Sequence, residues 1–375
     1  MYISSAIFYF FVISIVYTLI KRGEQIKSNQ LIITSYVILW LITIIRFDIG
    51  NDYDNYMTLI DYHIQLFNQN FTPLAAYNYF DGRTELSLSV FTYVFRWTHT
   101  PFFWVIAFYS TLFYIFIFLT FDSYKSHSTG VLLFFISGFM FCSWDWIRQG
   151  LSIIIVLYSF SCLQNKKIII YFLCIGLAFF IHYSALVGLL FILLDRFNIK
   201  NRIAILFLLT ILLLYIFNAF NNTVEKTGLY FRYLGGYDTY TDTEATVRTF
   251  SSWNYKLRTI TYTMLWISMI FSLPYDSKLE KNALILGAVI FIIGSGSLVF
   301  TRISWYFIVP SFCLLKDVLK NNHGVRNIVI ALMLVMSGLL FRDIAINKNC
   351  RGCSPYETIF SDEFKTQRLR ISDRQ

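Results

Sequence analysis

Charge is what this sequence has least of. Only 14% of its 375 residues are Asp, Glu, Lys or Arg, against roughly 25% in an average soluble domain. Most of the chain therefore cannot face water. Five prolines and 17 glycines are too few for a low-complexity or fibrous chain. The six cysteines are scattered. Cys142, Cys162, Cys174 and Cys313 lie inside apolar runs and read as small buried hydrophobes. Cys350 and Cys353 form one CxxC in a polar tail, without the second ligand pair of a zinc site. Nothing in the sequence resembles a Walker loop, a nucleophile elbow, a zinc cluster or a haem-ligand pair. The first apolar run has no basic segment before it and is long enough to span, so a cleavable signal peptide is not expected.

What the chain does have is apolar length. Hydrophobic residues make up 57% and aromatics 19%, which reads as lipid-facing bulk with interfacial aromatic belts. A helix needs about 20 apolar residues to cross the hydrocarbon core. Candidate spans are Tyr2–Ile20, Leu31–Ile45, Phe102–Phe121, Val131–Trp144, Ile147–Leu163, Ile168–Ile181, Ile203–Phe220, Leu257–Leu273, Ala283–Phe300, Ile303–Leu315 and Val325–Phe341. Tyr183–Leu194 reads as a short span after a break near His182, and Leu86–Phe95 as a re-entrant or interfacial helix.

Basic residues set the orientation, because short cytoplasmic loops collect Lys and Arg. If the N-terminus is outside and Leu86–Phe95 does not cross, Lys21, Arg22, Lys27, Lys125, Lys166, Lys167, Arg196, Lys200, Arg202, Lys278, Lys281, Lys316, Lys320 and Arg326 all fall inside. The net charge of +9 is thus a topology signal and does not indicate nucleic acid. The expectation is an all-α polytopic membrane protein of about twelve spans, with both termini outside. No internal repeat or boundary sets off a soluble domain, so residues 1–375 read as a single transmembrane domain. Three hydrophilic stretches, Phe47–Glu85, Asn221–Lys256 and Arg342–Gln375, then face outward. Loops of this length are commonly functional or disordered.

The first of these stretches is acidic, with Asp48, Asp52, Asp54, Asp61, Asp81 and Glu85 against Arg83 alone. An Asp-x-Asp such as Asp52-Tyr53-Asp54 can bind a metal that holds a diphosphate, and also arises by chance in any acidic loop. Arg46, Arg148 and Arg302 sit on the outer side, against the charge bias. They are either ion-pair partners of the acidic loop or a clamp for phosphate, which the planar guanidinium meets with two bonds at once. His182 interrupts an apolar run. It is either a backbone-bonded residue at a helix break or a general base or diphosphate ligand.

Several local patterns then align with one family. Arg46-Phe47-Asp48-Ile49-Gly50-Asn51-Asp52-Tyr53-Asp54-Asn55-Tyr56 resembles the R-x-x-x-G-x-D-Y-x-x-Y stretch of EpsG-type polysaccharide polymerases, within the broader Wzy group. Glu85 opening an apolar helix, Ile147-Arg148-Gln149, His182-Tyr183-Ser184-Ala185-Leu186, Arg302 with Tyr306-Phe307, and Pro355-Tyr356 are similar to further elements of that family, in its order. The CxxC of Cys350 and Cys353 is foreign to the pattern.

The resemblance implies a GT-C-like membrane glycosyltransferase in the bacterial inner membrane, making O-antigen or exopolysaccharide. It would transfer a growing glycan from undecaprenyl diphosphate to a lipid-linked repeat unit at the outer leaflet. Its partners would be those lipid-linked oligosaccharides, membrane lipid and a chain-length regulator. The catalytic candidates are Asp52, Glu85 and His182, which the sequence does not rank. Substrate binding would fall to Arg46, Tyr53, Arg148, Gln149, Arg302 and Tyr306. No cofactor or metal is required if arginines neutralise the diphosphate. The competing readings are a flippase or exporter of lipid-linked sugars, which would need charged residues reaching both faces, and a membrane acyltransferase.

Overall fold

The computed structural model describes residues 2–50, 52–80, 84–220, 253–273, 277–294, 298–321, 323–346 and 353–360. Asp81, Arg83 and Cys350 lie outside the described residues. So do 221–252 of the second outer stretch and 347–352 and 361–375 of the third.

Helix dominates, and the reason is the composition: in lipid each backbone N–H and C=O must be satisfied within its own segment. Four described helices are long and apolar enough to cross a membrane. They are α1 (Ile3–Ile26), α6 (Pro101–Ser123), α9 (Ile147–Gln164) and His323–Ile346. The run Val131–Trp144 is not one straight span. It is divided into α7 (His127–Ile136) and α8 (Phe139–Asp145), bent by 66°. Gly138 makes the bend at φ +71°, a backbone state open to glycine at little cost. Shorter apolar helices include α2 (Asn29–Ile44), α5 (Leu86–Phe95), α10 (Ile168–Ile181) and Asn201–Ile216.

The described part of Phe47–Glu85 is structured. It contains α3 (Tyr53–Asn68) and α4 (Pro73–Tyr79). Pro73 occupies the first turn of α4 and Thr72 caps it, its hydroxyl accepting the Ala75 N–H at 3.2 Å. Both choices suit a helix start. Leu66, Phe67 and Ala76 form a small buried cluster with Phe71, Phe80 and Tyr93 packed on it.

The chain divides into two compact units. The first comprises residues 1–158, 176–183 and 340–375. Within it α2 and α6 are joined by polar bonds: Trp40 Nε1 donates to Thr111 at 2.9 Å, and the Thr43 and Tyr114 hydroxyls lie 2.8 Å apart. A two-residue strand β1 (Arg46–Phe47) pairs antiparallel with β2 (Glu357–Thr358), Arg46 opposite Thr358. The second unit comprises residues 159–175 and 184–339. There Gly287 lets helix Lys278–Ile293 approach Leu298–Ile308, since a Cβ would stand 2.9 Å from Ile308 Cγ1. Asn201 donates to the Ile270 carbonyl at 3.0 Å and accepts from the buried Lys281 at 3.1 Å.

Candidate functional site

The first unit gathers its polar residues around two arginines, one buried and one part-buried. One is Arg46, at the exit of α2 and 2% exposed. Its guanidinium donates to the Thr43 carbonyl and, at 3.4 Å, to the Trp144 carbonyl. It lies 5.4 Å from the Trp144 ring centre. Its Nε is buried without a hydrogen-bond partner among the described residues. Tyr9, Tyr53, Tyr114 and Tyr356 surround the charge, and burial lowers its pKa to about 10. Arg46 thus keeps its charge at neutral pH with no carboxylate among those partners.

The turn after Arg46 explains the glycine of the sequence pattern. Gly50 has φ +120°, and a Cβ there would meet the Trp144 carbonyl at 3.1 Å. The Gly50 carbonyl accepts the Tyr53 N–H at 3.0 Å, closing the turn into α3. Asp52 caps α3 by position, but its side chain makes no capping bond. Instead its backbone N–H donates to Asp145 Oδ1 at 3.0 Å. Tyr53 is buried, its ring edge-on to Phe47 and Phe102. The tail returns to the same place. Tyr356 donates to the Ile42 carbonyl at 2.9 Å and stacks on Phe8, and Ile359 N–H reaches the Ile45 carbonyl at 2.9 Å. The Pro355-Tyr356 element therefore packs beside the Arg46 stretch. Cys353 is buried there, its carbonyl accepting the Tyr9 hydroxyl at 2.7 Å.

The other arginine is Arg148, in the first turn of α9. It forms a part-buried ion pair with the buried Glu85, which caps α5 by position. His182 Nε2 stands 3.5 Å from the second Glu85 oxygen. It occupies the break between α10, ending at Ile181, and a 3₁₀ turn over Tyr183–Leu189, where the sequence places one. The Arg148 guanidinium lies 5.3 Å from the Tyr56 ring centre. Burial raises the Tyr56 pKa, and its contact with the Arg148 charge and hydrogen bond pulls against that shift. Arg148 Nε is buried without a hydrogen-bond partner among the described residues. Gln149, next along α9, is buried.

Tyr109 on α6 relates the two groups. Its hydroxyl is 2.9 Å from Ser87, two residues after Glu85, and it interacts electrostatically with both Arg148 and Glu85. It also lines a cavity of about 10 Å³ together with Thr43, Arg46, Ser110, Phe113, Ser143, Trp144 and Ile147. That volume suffices for roughly one water molecule. Among the described residues no group of three or more His, Cys, Asp or Glu could hold a metal ion.

Arg46, Asp52, Tyr53, Glu85, Arg148, Gln149 and His182 therefore all belong to the first unit, and Glu85, Arg148 and His182 are in direct contact. Arg302 and Tyr306 belong to the second. Arg302 is half-buried on Leu298–Ile308, and the buried Tyr306 hydroxyl lies 3.0 Å from Ser184 Oγ. That contact lies within the second unit. The sequence patterns include Tyr56, which closes the first of them, but do not reach Tyr109, Ser87 or Asp145. Only Asp145 carries a signal of its own: a carboxylate within an apolar stretch defaults to a functional hypothesis.

No curated protein and no solved structure matches the chain. The model of the EpsG family matches residues 29–358, from α2 to β2, and so takes in both arginine groups and the returning tail. On that match, this membrane protein belongs to the EpsG family, a family of polysaccharide polymerases.

Proposed function

We propose that the chain polymerises oligosaccharide repeat units carried on undecaprenyl diphosphate, at the outer leaflet of the bacterial inner membrane. The topology that goes with this reading has about twelve spans, both termini outside and a GT-C-like arrangement. What supports it is the family match together with one buried constellation, Glu85 between Arg148 and His182. The family match lends nothing to the flippase or exporter reading.

In the proposed reaction, an acceptor hydroxyl of the incoming lipid-linked unit attacks the anomeric carbon of the growing chain. The anomeric C–O bond to the diphosphate breaks, and the electron pair leaves on undecaprenyl diphosphate. Negative charge grows on that leaving group, and fixed positive charge opposite it is commonly the largest catalytic contribution. Arg46 supplies that charge in the first unit, and Arg148, paired with Glu85, offers its planar fork to the diphosphate oxygens. Arg302, Tyr53, Gln149 and Tyr306 are assigned to substrate binding from the sequence pattern. The attacking hydroxyl must lose a proton. Glu85 has one oxygen on Arg148 and the other beside His182, so we assign the proton to His182, held in place by Glu85. Asp52, at the head of α3, orients the acceptor.

The test is His182→Ala in cells that make the polymer. Membrane levels should stay near normal while polymerisation is abolished, leaving single repeat units on lipid. Long-chain polymer at normal protein levels would remove His182 from the chemistry. Loss of the protein would make it a cap of the broken helix.

A further inference from the structure

Outside the Glu85 group, the densest set of unusual contacts falls on two consecutive residues at the end of α8. Trp144 offers its carbonyl to Arg46 at 3.4 Å, and the same carbonyl would lie 3.1 Å from a Cβ at Gly50. Its ring nitrogen donates to Thr43 at 3.1 Å. Asp145 accepts the Asp52 N–H at 3.0 Å. Residues 46–52 are therefore held at both ends by hydrogen bonds to Trp144 and Asp145, with Gly50 closely packed between them. Asp48 and Gly50 both have positive φ, as suits a tight turn between β1 and α3.

Asp145 is 7% exposed. A buried carboxylate in an apolar segment is costly and would be expected to have a role. Nothing in capping α8 requires it, since it lies at the helix's C-terminal end, where negative charge is disfavoured by the helix dipole. The bond it makes fixes where α3 begins. From that point Asp52 heads the helix, and one turn later Tyr56 lies against Arg148. Two residues beyond Asp145, α9 begins, and Arg148 is its second residue. Asp145 thus stands where the start of α3 is set against the start of α9.

We propose that Asp145 is a positioning residue that sets Asp52, and through α3 Tyr56, against Arg148. Asp145 does not touch substrate. Its effect passes through the Asp52 backbone N–H, which needs an acceptor oxygen at that place and does not need a negative charge. The inference rests on the reading of Asp52 as a group that acts on the acceptor.

The experiment is a comparison of polymer formation, at matched membrane levels, in Asp145→Ala, Asp145→Asn, Asp52→Ala and the double variant Asp145→Ala/Asp52→Ala. Misplacing a reacting group by about an ångström costs about a hundredfold, so Asp145→Ala should lose roughly tenfold to a hundredfold. Asp145→Asn retains an acceptor oxygen of the same shape and should return polymer to within a few-fold of wild type. The double variant should be no worse than Asp52→Ala, because groups acting as a unit are not additive. Wild-type polymer from Asp145→Ala, an Asn variant as defective as Ala, or additive losses in the double variant would each overturn the proposal. Disappearance of Asp145→Ala from the membrane would assign Asp145 to folding and overturn it too. If Asp52→Ala itself makes normal polymer, the fault lies in the reading of Asp52, a different outcome from a harmless Asp145→Ala.

Discussion

The buried Arg46 and the part-buried Arg148 of the first unit are held in opposite ways. Arg148 is neutralised: Glu85 pairs with it and Tyr56 covers its face. Arg46 is held by two backbone carbonyls, a tryptophan ring and a ring of tyrosines, with no carboxylate among them. Burying a charge costs several kcal/mol unless a partner repays it. The Arg148 group is close to self-sufficient, whereas the Arg46 charge has no carboxylate among its partners in the described residues, and its pKa is lowered to about 10 by burial.

The comparison breaks most easily at Arg148. Replacing it with Met strands a buried carboxylate and should destabilise the protein by about 3–5 kcal/mol, read as a lower thermal midpoint in detergent. Arg148→Lys keeps a cation for Glu85, so abundance should hold. Polymer should still fall by about 100-fold or more, because an ammonium cannot reproduce the planar fork. Normal polymer from Arg148→Lys would reduce Arg148 to a counter-ion for Glu85.

Gly50→Ala tests the geometry of the other group. It places a methyl against the Trp144 carbonyl at a positive φ and should cost about 1–3 kcal/mol, with reduced polymer because Asp52 follows in the same turn. Arg46→Met should cost less than Arg148→Met, about 1–2 kcal/mol, since it leaves carbonyls without donors but strands no charge. Its polymer should nonetheless fall steeply. Equal destabilisation by Arg46→Met and Arg148→Met would erase the distinction between the two groups.

The membrane character of the chain was legible from scarcity of charge alone, and the break at His182 from one histidine in an apolar run. The bend inside Val131–Trp144 was not, because hydropathy sums over a window and cannot register one glycine turning the chain at Gly138. Nor were α3 and α4, whose polar faces make Phe47–Glu85 look like a loop although Ile60, Leu66, Phe67 and Ala76 are buried. The residues around Arg148 were individually visible as Glu85, Arg148 and His182. Their contact was not, since 63 residues separate Glu85 from Arg148 and no local pattern encodes that pairing. Tyr109 looks like any of the 26 tyrosines until the fold puts it beside charge.

Two smaller effects sharpen the picture of the outer stretch. His63 on α3 is fully buried, its ring nitrogens 2.7 Å from the Leu59 carbonyl and 2.8 Å from Ser89 Oγ on α5. Burial lowers its pKa below the ordinary value. The unfolded chain therefore takes up the proton first as pH falls. Stability from this group is complete above the unfolded value near 6.5 and declines below it, by at most about 1.4 kcal/mol per pH unit. His63→Gln should flatten the thermal midpoint between pH 7 and 5. An unchanged slope would free His63 of that role. The topology is tested by cysteine labelling: positions near Asp61 should react from outside and positions near Lys166 should be protected. External labelling at Lys166 would mean that α5 crosses the bilayer.

The most direct measurement uses the purified full-length protein in proteoliposomes with an undecaprenyl-diphosphate-linked repeat unit as the only substrate. The account predicts a ladder of longer glycans on lipid, with one undecaprenyl diphosphate released for each added unit, and neither from the His182→Ala protein. Movement of the lipid-linked unit between leaflets with no ladder and no released undecaprenyl diphosphate would contradict it.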